Sequence, residues 1–331
     1  MKNTNKILLT LAAMLLTASF LSSAAAAEKR SLMWGATNQS SGAFPMNVGM
    51  AEVINKQIPE VLITVIETGA TNDNFRRMER GEVSFGQAST TDCYTANHGL
   101  GIWEGKTLHK PRVLVSANPQ AFLFTATEES GIKKLSDLDG KPYSPGLKGS
   151  TTELLSYAVF ATFGIKPKMY PGGTGEAVDG MKDRRILGFT KNSTLTNADS
   201  ALQDVATTRN IRLIPFSAEE QKKFLEKYPY YPFVTMPASV YKQEADIVSI
   251  GTDFGIAVDK DLDADLVYKI TKAICENGEI IGQTYPGVRN INLAELTARS
   301  SAWLHSGTIR YLKEKGYTLD AKTQYPPEYK E

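Results

Sequence analysis

The chain is poor in the residues that most often carry chemistry. Its 331 residues include two cysteines, Cys93 and Cys275, and three histidines, His98, His109 and His305. No histidine has a second His or Cys at metal-ligand spacing, so no metal site is expected. The sequences GxSxG, HExxH, Walker A and the dinucleotide fingerprint are missing, which removes the usual signatures of hydrolases, zinc proteases and nucleotide enzymes. Two cysteines cannot make a disulfide scaffold. Cys275 falls on the apolar side of a predicted helix, which favours two buried free thiols over a bridge. An excess of one charge is also lacking, with 37 Lys+Arg against 36 Asp+Glu and a formal charge of +1. That balance leaves no electrostatic footprint for nucleic acid or an anionic membrane. Internal repeats, low-complexity segments and a long Gly/Ser linker are absent after residue 27.

What is present begins with Lys2 and Lys6, an apolar stretch centred on Ile7–Leu21, and the small residues Ser22–Ala27 before Glu28-Lys29-Arg30. This order is that of a secretory signal peptide cleaved near Ala27. The polar Thr17, Ser19, Ser22 and Ser23 favour cleavage over an uncleaved membrane anchor. Cys93 is too far downstream to carry a lipid anchor, so the expected product is soluble in the periplasm. Loss of two lysines would bring its formal charge from +1 to −1. Just over 300 residues would remain, which suits two lobes better than one core.

Short apolar runs alternate with helical patterns. Strands are expected at Leu32–Trp34, Val61–Ile66, Val83–Phe85, Val113–Val115, Phe122–Thr125, Ile186–Phe189, Ile211–Phe216 and Gly255–Val258. Several are β-branched and uninterrupted, as in parallel strands buried on both faces. Apolar stripes at spacings of three and four start from Phe44, Leu154 and Leu266. Ser150–Glu153, Thr196–Asp199 and Ser217–Glu220 read as helix starts, and Gly81, Gly164 and Gly278 as helix stops. The expected class is α/β, with two lobes joined by crossing hinge strands and a ligand cleft between them. The crossings are expected at Phe122–Thr127 and Gly251–Val258. Lobe 1 would comprise 28–121 and 252–331, and lobe 2 would be 122–251.

Ligands of open α/β sheets bind beyond the carboxyl ends of the strands. There the sequence places uncharged stretches rich in Gly, Ser, Thr and Asn: Gly35–Gly42, Thr68–Asn74, Gly86–Asp92, Ser144–Thr151, Pro171–Gly175 and Thr190–Thr194. Each alone reads as ordinary caps and turns. Together they point to a shared cleft where helix starts offer N–H groups to a phosphate or carboxylate. The candidate ligand-binding residues are Asn38, Ser40, Ser41, Thr71, Asn74, Thr90, Thr91, Lys148, Gly149, Ser150, Thr151, Thr174 and Lys191. Lys191 is expected at a strand end among neutral residues, as a counter-charge for ligand; Lys148 is a weaker candidate, since loop lysines are usually solvated. Asp92 either caps a helix or touches ligand, and lacks a visible acid–base partner. No catalytic residue and no cofactor are expected.

These motifs resemble the TAXI class of solute-binding proteins of tripartite ATP-independent periplasmic (TRAP) transporters. The resemblance runs from about Leu32 to Gly316. It rests on Trp34-Gly-Ala-Thr through Phe44-Pro45, Glu67–Arg76, Gly81–Gly86, Ser130–Gly140, Gly149–Thr152, Lys227–Tyr231, Asp265–Asn277 and Leu304–Lys315. It implies a type II periplasmic binding fold, closure on ligand, and a TRAP permease driven by an ion gradient as membrane partner. It also implies a small carboxylate ligand, dicarboxylate or amino-acid-like, touched by Thr71, Asn74, Gly149, Ser150 and Thr151. Two loops depart from the family pattern, Ser40–Pro45 and Thr190–Thr194. The added lysine implies one more negative charge on the ligand, or one differently placed. The protein is expected to be a monomer. Alternatives are a binding protein of an ABC importer or sensory system and, from another class, a secreted enzyme on the same fold.

Overall fold

Residues 29–330 are described by the structure, a computed structural model. The expected signal peptide lies outside them. The chain starts as three parallel-sheet units: β1 (Arg30–Gly35), α1 (Phe44–Gln57), β2 (Val61–Ile66), α2 (Thr71–Glu79), β3 (Phe85–Ser89) and α3 (Thr90–His98). A 17-residue strand, β4 (Pro111–Thr127), follows. Then come β5 (Pro142–Ser144), α4 (Thr151–Phe163), β6 (Lys168–Met169), α5 (Thr174–Lys182), β7 (Gly188–Thr194), α6 (Ser200–Ala206), β8 (Ile211–Ile214), α7 (Ala218–Lys227), β9 (Phe233–Met236) and α8 (Ala238–Tyr241). The long β10 (Ile247–Asp259) precedes α9 (Ala264–Cys275), α10 (Gly278–Thr284), α11 (Leu293–Ala298), α12 (Ser306–Glu314) and α13 (Ala321–Gln324).

The strand order is β2-β1-β3-β10-β4-β7-β5-β6, with β8 also on β4 and β9 on β10. β1 pairs parallel with β2 and β3, and β5 parallel with β6 and β7. These two parallel groups are held together by the antiparallel β4 and β10, which pair from Ala121↔Gly251 to Pro111↔Asp259. This is the expected α/β class, with two lobes on crossing strands in the type II periplasmic-binding plan. One lobe packs Trp34, Met46, Phe85, Val115, Ile256 and Val267 over one side of the sheet and Phe75, Val113, Leu304 and Leu312 over the other. The second packs Phe124, Tyr143, Phe160 and Phe216 on one side and Leu123, Met181, Phe189 and Leu202 on the other.

Several expectations need correction. The runs expected at Val113–Val115 and Phe122–Thr125 are one strand. Residues 122–127 do not cross: they pair with β7 and β8 inside the second lobe, and on β4 the exchange of partners falls at Gln120–Ala121, where the β10 pairing ends and the β7 pairing begins. On β10 the exchange falls at Gly251–Asp253, between the β9 and β3 pairings. Thr196 is not a helix start, because Asp199 caps α6. Gly278 opens α10 rather than ending α9. The short β5 and β6 carried too few apolar residues to be read, and the four-residue β9 was also missed. Ser150 and Ser217 do cap their helices as expected. Cys93 is buried, Cys275 half-buried, and both are free. Burial pushes the Cys275 thiol up to about 12.

Gly255 marks the tightest point of the crossing. A Cβ there would lie 2.0 Å from the Val115 carbonyl oxygen, beside one of two register shifts between β4 and β10. Gly255→Ala should lower stability by about 2–3 kcal/mol through overpacking against backbone. Gly81→Ala, at φ +74 with open space around it, should cost only about 1 kcal/mol. Urea denaturation of both variants measures the difference.

Candidate functional site

The helix starts α1 to α5 converge on one chamber between the lobes. From the first lobe its wall takes Thr37, Asn38, Ser41, Ala43, Ala70, Thr71, Gln87, Ser89 and Asp92. From the second it takes Gly146, Leu147, Ser150, Thr151, Thr152, Gly172, Thr174, Phe189, Thr190, Lys191 and Asn192. The crossing strands add Phe122, Thr252 and Phe254. The chamber measures about 70 Å³, enough for a few waters or a small polar group.

The lobes already touch across it. Asn72 Nδ2 donates to Gly149 O at 2.8 Å, Thr151 Oγ1 donates to Asp92 Oδ1 at 2.8 Å, and Gly175 N donates to Ser40 Oγ at 3.3 Å. Tyr94 of α3 lies near Tyr230 of the second lobe, ring centroids 6.2 Å apart. The arrangement is a closed one.

Local sequence explains the donors. Asn47 accepts from Trp34 Nε1 at 2.9 Å and donates to Gln87 Oε1 at 2.6 Å. This fixes the Gln87 amide and leaves its NH₂ as the group available to the chamber. No side chain caps α2, whose N-cap Ala70 sits at φ 65, ψ −156. That backbone region is one alanine adopts only under strain. The first-turn N–H groups of α2 therefore keep their donors and partial positive charge toward the chamber.

Of the expected site residues, Asn38, Ser41, Thr71, Ser150, Thr151, Thr174 and Lys191 are brought into the wall. Ser40 lies at its rim, bonded to Asn38 Oδ1 at 2.7 Å and to Gly175. Gly149 is an interlobe acceptor. Lys148 is exposed. Thr90 and Thr91 lie behind the wall, Thr91 against Thr252 Oγ1 at 3.4 Å. Asn74 is scaffold: its Nδ2 bonds Ala36 O (2.9 Å) and Gln87 O (3.1 Å), and its Oδ1 accepts from Thr68 (2.7 Å). It ties the ends of β1, β2 and β3 together. Gly35 and Gly86 make room for it, since a Cβ on either would lie 2.3 and 2.8 Å from Asn74 atoms. Residues not singled out beforehand include Gln87, Thr190, Asn192 and the aromatic Phe122, Phe189 and Phe254. The aromatics read as core from their apolar neighbours, and nothing local marks them as wall.

Lys191 differs from its expectation in three ways. It lies inside β7 rather than in a loop, it is 5 % exposed, and its ammonium is not alone. Asp199 Oδ2 pairs with Nζ at 3.1 Å, and Asn192 O and Oδ1 accept at 3.0 and 3.2 Å. The turn at Leu195–Ala198 returns the chain and brings Asp199 back to the lysine. Asp92 is the one acidic side chain in the wall. Burial pushes its carboxyl above the ordinary 3.8, outweighing the bonds from Ser89 and Thr151 that oppose it.

By fold and site this is a two-lobed α/β protein of type II periplasmic-binding plan, shut over a polar chamber lined by helix starts. The chain belongs to the NMT1-like family, whose match covers residues 35–316. Among solved structures it is similar to the periplasmic aliphatic sulphonate binding protein SsuA from Escherichia coli, at 11% identity over 87% of this chain and 84% of that chain, TM-score 0.41. A putative L-cystine ABC transporter from Listeria monocytogenes matches at 12% identity over 78% and 96%, TM-score 0.49. An ancestral arginine-binding protein bound to arginine matches at 16% identity over 78% and 98%, TM-score 0.48.

Two outcomes test this description. Because Lys191 is buried and paired, Lys191→Met should cost about 1–3 kcal/mol of ligand-free stability by orphaning Asp199. Lys182→Met, which breaks the half-exposed pair with Asp204, should cost about 0–1 kcal/mol. For Asp92, a raised folded pKa means that the native state binds more protons than the unfolded one. Its contribution is full below the unfolded value and lost as pH rises through the folded one. Urea melts from pH 3 to 7 should therefore show Asp92→Asn gaining on wild type as pH rises.

Proposed function

We propose that the protein is an extracytoplasmic solute-binding protein that captures a small anionic, carboxylate-bearing metabolite and hands it to a membrane transporter. One observation carries this reading: five helix starts, three from one lobe and two from the other, enclose a single chamber between lobes in contact. Such starts present N–H groups and partial positive charge to an anion without a cluster of arginines. A ligand touching both lobes would favour the closed form by its differential contacts. The lobes are taken as 28–121 with 252–331, and 122–251, with the mature chain a monomer beginning at Glu28 after cleavage at Ala27. Among the described residues no helix is long and apolar enough to cross a membrane. No cofactor and no enzymatic step enter this reading.

The motif resemblance supports a TRAP-type permease as recipient. Uptake in vesicles carrying the permease, driven by an ion gradient without ATP, tests that part; dependence on ATP would transfer the protein to an ABC importer. The binding reading itself is tested by native mass spectrometry of protein freshly purified from its host periplasm. The expected result is one bound acidic molecule per chain and an N-terminus at Glu28. Protein that arrives empty, and whose radius of gyration is unchanged by any extract of host metabolites, would overturn it.

A further inference from the structure

A second, larger cavity of about 400 Å³ adjoins the chamber. Gly42, Ala43 and the Thr284–Gly287 turn of the first lobe face Lys191–Gln203 of the second across it, over Gln120. Lys191, Asn192 and Ala43 belong to the walls of both spaces. The Lys191–Asp199 pair thus stands at the boundary between a chamber too small for most metabolites and a space in the ordinary size range of ligand pockets.

The bonding of the pair is asymmetric. An ammonium has three donors, and the three acceptors around Nζ all come from the chain itself. No donor remains for an incoming anion unless one acceptor leaves. Asn192 O belongs to the β7 backbone, and its side chain is also held by Gln120 Oε1 at 2.6 Å. Asp199 has another occupation: its Oδ1 caps α6, accepting from Ala201 N at 3.0 Å and Leu202 N at 3.4 Å, while Oδ2 serves the lysine. Oδ2 can turn from the lysine while Oδ1 keeps the cap, and the adjoining cavity gives the freed oxygen water.

We propose that Asp199 is a built-in counter-ion: it occupies Lys191 in the empty protein and is exchanged for a carboxylate of an elongated dianionic ligand that reaches through the partition. The first carboxylate then lies among the helix starts of the inner chamber and the second takes Lys191 from Asp199. Asp199 therefore sets selectivity, because only a ligand with a charged far end recovers what the broken pair gives up. This rests on the solute-binding reading above.

The test uses calorimetric titration of the full mature protein with glutarate, a five-carbon dicarboxylate, and with its mono-amide glutaramate, which has one neutral end. Asp199→Asn removes the competing charge and keeps a good helix cap; Asp199→Ser does the same with another capping residue if the first fails to fold. Either variant should bind glutarate at least tenfold more tightly than wild type, with no such gain for glutaramate. The gain should vanish in Lys191→Met/Asp199→Asn. Glutarate binding that is unchanged, weaker or undetectable in the Asp199 variants, an equal gain for glutaramate, or a gain that survives loss of Lys191 would each overturn the counter-ion role. A wild type that carries its native metabolite in mass spectrometry while these variants show no gain removes only this role and leaves the solute-binding reading intact.

Discussion

The antiparallel pairing of β4 with β10 is the constraint on which the rest of the molecule depends. Both strands run through both lobes, and their shared ladder extends from the first lobe to Gly251 and Ala121. Each lobe has its own apolar packing on the two sides of the sheet, so the ladder is the rigid link between two bodies. Partners are exchanged at Gln120–Ala121 on β4 and at Gly251–Asp253 on β10, and relative motion of the lobes would be absorbed there. Gly251 lies at the exchange and Gly255 two residues beyond it, each for a steric reason. A Cβ on Gly251 would approach a Val234 methyl to 2.5 Å, and one on Gly255 the Val115 carbonyl oxygen to 2.0 Å. The same ladder aims the parallel strands of the two lobes at each other, and this brings the helices that follow them nose to nose around the chamber.

The electrostatics of that chamber follow from where each charge finds its partner. The helix starts supply positive character through backbone dipoles, which move with the fold and cannot be neutralised by a proton. The two formal charges in the wall are already engaged: Asp92 with Ser89 and Thr151, Lys191 with Asp199 and Asn192. Burying charges without partners would cost several kcal/mol each, and the chain itself supplies those partners.

The α/β class, the lobed plan and the helices α1, α4, α7 and α9 were legible because their signals are local. Uninterrupted apolar runs, stripes from Phe44, Leu154 and Leu266, and the caps at Ser150 and Ser217 each fit within a few turns of chain. Five of the six uncharged stretches reach beyond the carboxyl ends of their strands, the exception being Thr190–Thr194 within β7, and seven candidates lie in the wall. The misses share a cause. Asn74 has the same side chain and the same kind of neighbours as a ligand-binding amide, yet its partners come from residues 36, 68 and 87. Only the glycines at 35 and 86 hint at it, and their purpose shows only once three strands lie side by side. Lys191 was misplaced because hydroxyl and amide residues imitate a loop, whereas Thr190–Thr194 pairs with the buried β4. Its partner Asp199 sits eight positions on, beyond a turn that no apolar pattern predicts.

Closure and selectivity are linked through the same few bonds. The interlobe hydrogen bonds, Asn72 to Gly149, Thr151 to Asp92 and Gly175 to Ser40, are each worth about 0.5–1.5 kcal/mol net. Opening the lobes would return those groups to water and restore freedom to the crossing, which offsets these bonds. A ligand shifts that balance only by what it binds better in the closed form than in the open one. Neutral donors on the helix starts give the same modest increment to any anion of suitable size. The charged pair at the partition is different in kind, because its two side chains are largely buried and a charge-assisted bond is stronger there. On the proposed exchange, a far-end carboxylate that satisfies Lys191 keeps that bond, whereas a neutral end leaves Lys191 with Asp199 and adds nothing to closure. On the proposed counter-ion role, which solute holds the lobes shut is decided at the boundary between the two cavities, by a carboxylate the protein itself supplies.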